Sequence, residues 1–141
     1  MDIRGTWNLY RLMTRDENLN IIWKSVEEYL ADPNIDDDFK KGVDGNQLVI
    51  DDEFINFLAK IPEGVSQEEI DEALASGELK LFSDNLMLVE KKGWKDDNGV
   101  LKFDTGAKGE VMGEPIDPWS PIKFTDDGLI ELMVYRYKKA D

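Results

Sequence analysis

The side chains here that could do chemistry are carboxylates and a few cations, because the 141 residues include no cysteine and no histidine. That excludes disulfides, thiolate nucleophiles, sulfur-based zinc sites, Ser-His triads and histidine bases or ligands. Carboxylate pairs can still perform acid–base work where burial shifts their pKa values, but no spacing among the 31 acidic residues picks out two. No catalytic residue is assigned. Asp32, Asn34, Asp36 and Asp38 alternate as calcium ligands do, yet the glycine and glutamate an EF-hand loop needs at its sixth and twelfth places are replaced by Asp37 and Val43. The stretch reads as a solvated acidic loop, so no metal and no cofactor are expected. Among the cations, Arg136 could hold an anionic head group, and Arg11 is a second candidate of that kind.

These residues sit in two runs at opposite ends of the chain. The first is Gly5-Thr6-Trp7-Asn8-Leu9-Tyr10-Arg11-Leu12-Met13, and the second runs from Gly128 to Lys138. Both are rich in aromatic and branched residues that suit a pleated, half-buried surface. Pairing the first strand with the last closes a sheet into a barrel and removes its exposed edges. A period-two reading puts Trp7, Leu9, Arg11 and Met13 on one face of strand one. Ile22, Trp23, Val26, Tyr29 and Leu30 then have the spacing of an amphipathic helix over about 18–31, ended by Pro33 and acting as a lid or a mobile portal.

Further along, 46–50 and 54–59 form a hairpin turning at Asp51-Asp52-Glu53, and Ile61-Pro62-Glu63-Gly64 ends it. Ser66 and Glu69 have capping-box spacing and Gly77 suits a C-terminal cap, which predicts a helix over 67–76. Strands follow at 78–82, 85–91, 100–104, 109–113, 119–124 and 129–138, with turns at Ser83-Asp84, Asp96-Asp97-Asn98-Gly99, Thr105-Gly106 and Asp126-Asp127-Gly128. Three prolines stiffen 113–121, where Trp119 anchors the loop. With no repeat or linker, residues 1–141 read as one domain.

The formal net charge of −14 repels phosphate backbones, and no run supplies a basic patch, so nucleic acid is not an expected partner. The N-terminal residues carry no apolar signal core and no run approaches bilayer-spanning length, from which a cytoplasmic location and no membrane insertion are expected.

Gly5-x-Trp7 near the N-terminus, with Arg136 in the last strand, resembles the calycin superfamily of lipocalins and intracellular fatty-acid-binding proteins. The resemblance implies a barrel floor built by Gly5 and Trp7 with Arg136 across the ring, a contact worth ~0.5–2 kcal/mol. A closing Tyr135-Arg136-Tyr137-Lys138-Lys139 looks closer to the fatty-acid-binding branch. The chain lacks the lipocalin Thr-Asp-x-x-Tyr segment, has Lys138 where that branch carries the tyrosine of Arg-x-Tyr, and adds the 67–76 helix. It is therefore similar to a divergent bacterial-type lipocalin-like domain.

The expected fold is mainly β: a closed or nearly closed antiparallel up-and-down barrel of about eight strands, with a helix after strand one and a second helix mid-chain. The expected function is binding of a small, largely apolar ligand inside the barrel, with Arg11, Met13, Ile22, Trp23, Val26 and Trp119 as candidate contacts. The alternative is a packed barrel that engages an unidentified protein partner through the lid helix or the proline loop. Barrels of about eight strands lie at the size where either outcome is available.

Overall fold

The computed structural model describes residues 2–140 apart from 42, 44, 62, 63, 84 and 85. The expected Pro62-Glu63 break, the Asp84 half of its turn and the Asn85 strand start lie outside the described residues. Along the chain the elements are β1 (Gly5–Arg15), β2 (Ile21–Ser25), α1 (Val26–Ala31), α2 (Asp37–Lys41), β3 (Gln47–Ile50), β4 (Phe54–Lys60) and α3 (Gln67–Ser76). They continue with β5 (Leu81–Ser83), β6 (Leu86–Asp97), β7 (Val100–Asp104), β8 (Glu110–Val111), β9 (Glu114–Pro115), β10 (Trp119–Pro121), β11 (Lys123–Phe124), β12 (Ile130–Leu132) and β13 (Tyr135–Lys139). No helix among the described residues is long and apolar enough to cross a membrane.

The main sheet is antiparallel, in the order β10-β7-β6-β4-β3-β1-β13-β12-β11. Its two ends, β10 and β11, are halves of one extended segment. β10 pairs with β7, Ile122 donates its N–H to the Leu101 carbonyl at 2.8 Å, and β11 pairs with β12. The sheet thus curls into a nearly closed barrel with a single seam at Ile122, and counting that segment once gives the eight staves expected. First and last strands are neighbours as the sequence predicts, with Trp7 opposite Lys139 and Leu9 opposite Tyr137.

Apolar residues on the inner faces of these staves meet along the barrel axis. Ile3, Trp7, Leu48, Ile50, Ile55, Ile122, Ile130, Leu132 and Tyr137 form one buried cluster, with Phe57, Trp94, Leu101 and Phe103 packed around it. The Trp7 indole N–H, which would be costly to bury unpaired, donates to the Ile3 carbonyl at 2.8 Å. Asn56, the buried polar residue, donates to the Val49 carbonyl and to Asp51 Oδ2.

Three departures from the expected elements have local causes. The helix predicted over 18–31 is instead the strand β2 followed by the short helix α1. Ile21, Ile22 and Trp23 favour a pleated surface, and the Asp16 carboxylate accepts the N–H groups of Asn18 and Asn20, each at 2.9 Å, to turn β1 back into β2. A helix starts only where Ser25 and Glu28 form a reciprocal capping box.

The second departure is a bulge. β1 advances two residues, Leu9 to Arg11, while β13 advances one, Tyr137 to Arg136. Tyr10 is the extra residue, and it shares the outer face with Arg11: the Arg11 guanidinium lies 5.0 Å and the Lys138 ammonium 5.2 Å from its ring centroid. Beyond the bulge the inward residue is the buried Leu12, so Arg11 and Met13 point outward rather than sharing the face of Trp7 and Leu9. Because Tyr10 is supernumerary, deleting it leaves every other residue of β1 on its present face. We expect that deletion to preserve the fold and cost no more than about 2 kcal/mol in chemical denaturation; loss of folding would show that the bulge is not what sets the alternation.

Thirdly, the stretch 129–138 is two strands. Met133 adopts φ 55°, in the left-handed region, and reverses the chain between β12 and β13. By contrast α3 has the predicted bounds, with the Ser66 hydroxyl accepting the Glu69 N–H at 3.1 Å and Gly77 closing the helix at φ 83°.

Candidate functional site: a cleft at the barrel mouth

Past the bulge, β1 continues with β2 as a hairpin that overshoots the barrel, about 23 Å from Trp7 to Thr14 at strand rise. Alternation puts Leu12, Thr14, Ile22 and Lys24 on its inner face, with Thr14 paired to Ile22 and Leu12 to Lys24. The loop after α1 folds back toward that face and is tied there by one ion pair. Lys24 Nζ lies 2.7 Å from Asp32 Oδ2, both side chains mostly buried, while Asp32 Oδ1 accepts the Asn34 N–H at 2.9 Å. Those bonds, the Lys24 contact first, hold the Asp32 carboxyl below the usual carboxylate range.

Between hairpin and loop lies an open cleft of about 640 Å³, lined among others by Thr14, Glu17, Ile22, Lys24, Asp32 and Ile35. A second lobe of about 320 Å³ shares Thr14, Asn34 and Ile35 with it and adds Tyr29, Asp36 and Phe39. A mainly polar and charged wall, with apolar contact from Ile22, Ile35, Tyr29 and Phe39, therefore lies at the end of the barrel remote from Trp7, outside the packed axis.

The predicted contact residues are split by the sheet. Ile22 lines the cleft. Arg11, Met13 and Trp23 lie on the outer face, where Met13 pairs with Trp23 and Arg11 with Arg136. Val26 is the half-buried first residue of α1, and Trp119 sits across the barrel in β10 with Lys95 Nζ 4.2 Å from its ring centroid. Arg136 does not lie over Trp7. Its neighbour Tyr137 points into the core, so Arg136 points out, 3.8 Å from the Trp23 ring centroid, with Nε and Nη2 both 2.9 Å from Glu131 Oε1. The cation near Trp7 is Lys139, at 5.9 Å, and its ammonium donates to the Asp2 carbonyl. Gly5 opens β1 opposite Ile50 at φ 127°, a conformation that other residues rarely adopt.

Sequence reasoning missed Lys24, Asp32, Tyr29, Ile35 and Phe39. Reading Ile22 to Lys24 at period two would have placed those two on one face. Nothing local marks Ile35 or Phe39, which join the cleft only through the fold of the loop and of α2.

Compared with protein-family models, with curated proteins and with solved structures, this chain matches none.

Proposed function

We propose that this protein is a lipocalin-like, calycin-type binding barrel that takes a small, largely apolar molecule in the mouth cleft rather than along the barrel axis. The observation that carries the reading is the pairing of a filled centre with a cleft of about 640 Å³ at the mouth, a volume within the range of small-molecule sites. Kinship with calycins is supported by the Gly5-Thr6-Trp7 start and by the β1 to β13 closure. A cytoplasmic setting belongs to the same proposal and draws on the absence of cysteine.

The test is a titration of the protein with apolar probes, followed by amide chemical shifts. Shifts should concentrate at Thr14, Ile22 and Ile35, and Ile35→Lys should weaken binding about tenfold by placing a charge on an apolar wall. Shifts centred instead on Ile55 and Ile130 would return the ligand to the barrel axis, and no binding by any probe would remove the proposal.

A second reading, a protein-interaction module, draws on the tip of the β8–β9 hairpin in the proline-rich stretch, where Met112 is 99% exposed. The two part on Met112→Ser, which leaves small-molecule binding unchanged under the first reading.

A further inference from the structure

Building on the mouth-cleft reading, we infer that the cleft selects an amphiphilic organic cation, an alkylammonium whose chain lies on Ile22 and Ile35 and whose head group meets Tyr29, Phe39 and the Asp36 carboxylate, with Glu17 on the wall of the adjoining lobe. Fatty-acid-like ligands need a cation to receive their head group. Of the two in the cleft, Lys24 is bonded to Asp32, and the exposed Arg15, whose Nη1 donates to the Leu19 carbonyl at 2.8 Å, is followed in the chain by Asp16 and Glu17. The cations the sequence offered for that task, Arg11 and Arg136, lie on the other side of the hairpin sheet.

Carboxylates outnumber these cations. The two lobes are lined by Arg15 and Lys24 against Asp16, Glu17, Asp32 and Asp36. Backbone N–H groups of Asn20 and Asn18 hold the Asp16 carboxyl below its ordinary range and the Lys24 bond does the same for Asp32, so both are ionised at neutral pH. The Glu17 and Asp36 side chains make neither an ion pair nor a hydrogen bond among the described residues, leaving both carboxylates available to a ligand. Lys40 is close enough to Asp32 to favour its charge, but it lines neither lobe. Around that negative potential stand two aromatic rings, Tyr29 and Phe39, in the same lobe as Asp36. Aromatic faces combined with a carboxylate favour an ammonium over an anion. A chain of net charge −14 adds a long-range field of the same sign.

The experiment is a titration of the full chain at low ionic strength with decylammonium, decanol and decanoate, all below micelle-forming concentration. The probes match in carbon number and differ in head group, the decanoate tail being one methylene shorter, which by itself accounts for no more than about fourfold. Decylammonium should bind about tenfold more tightly than decanoate, with decanol between them, and high salt should compress the series. The double variant Glu17→Gln, Asp36→Asn should lose about fivefold in decylammonium affinity and none for decanol, and it keeps most of the overall negative charge, so it separates the local carboxylates from the global field. Decanol or decanoate binding as tightly as decylammonium, or an unchanged affinity in the double variant, overturns the inference and leaves the cleft reading standing. Failure of all three probes to shift Thr14, Ile22 and Ile35 overturns both.

Discussion

Trp7→Ala is expected to lower the unfolding free energy by ~3–5 kcal/mol, measured by chemical denaturation. Trp7 is 1% exposed and belongs to the cluster that joins β1, β3, β12 and β13 along the barrel axis. Truncating it removes the largest side chain of that cluster and leaves a void. Its neighbours Leu48 and Ile50 on β3 and Tyr137 on β13 are fixed by their own strand pairing, so collapse into the void is limited. A second loss is the indole N–H bond to the Ile3 carbonyl, which helps tie the chain before β1 to the barrel. Trp7→Phe separates the two, because it keeps much of the ring and removes the donor. About 1–2 kcal/mol of the total should appear in that variant. A cost below about 1 kcal/mol for Trp7→Ala would mean that the barrel closes without it.

Trp7 also shows which parts of the fold were legible in the sequence. Its burial, the 51–53 hairpin and the limits of α3 depend on signals confined to a few neighbouring residues, such as an alternating run, a cap or a turn, whereas the pairing of its strand with the last one was legible from the matching character of the two chain ends. Asn98-Gly99, with φ 54° and 90°, is the same kind of signal and turns β6 into β7 where expected. What failed was the phase of a pattern. One extra residue, Tyr10, moved Arg11 and Met13 to the outer face, and no feature of the run Leu9-Tyr10-Arg11 marks a bulge, because it forms only against β13.

The segment 18–31 failed for a related reason. Ile22, Val26, Tyr29 and Leu30 fit a helical stripe, while Ile21, Ile22 and Trp23 fit a strand equally well. The Asp16 turn and pairing with β1 decide between them. The cleft depended on both errors. Once Ile22 and Lys24 are placed on the inner face of a hairpin, Lys24 reaches Asp32 and the acidic loop becomes a wall of the site. Its residues were visible in the sequence, whereas their convergence was not.

Stability should fall steeply as pH rises above 10, and Tyr137→Phe should remove much of that fall. Tyr137 is 1% exposed, its hydroxyl donates to Asn46 Oδ1 at 2.9 Å, and burial, with a smaller contribution from Tyr135, pushes its phenol well above the ordinary value of 10.0. A group whose pKa is raised by folding contributes stability that is complete below its unfolded pKa and is lost as pH climbs toward the folded one. In the unfolded chain the phenol ionises near its ordinary value, so each further pH unit favours unfolding by about 1.4 kcal/mol for this one residue. At neutral pH the sign reverses for the variant. Tyr137→Phe deletes the bond to Asn46 and leaves that acceptor without its phenol, costing about 1 kcal/mol. The two stability curves should therefore cross near about pH 11, with the variant the more stable above it. Tyr29, whose phenol is also raised by burial, remains in both proteins and keeps a weaker alkaline dependence in the variant. Parallel curves with no crossing would mean that the Tyr137 phenolate is accommodated in the core, and that the end of the barrel near Asn46 admits water to the ring.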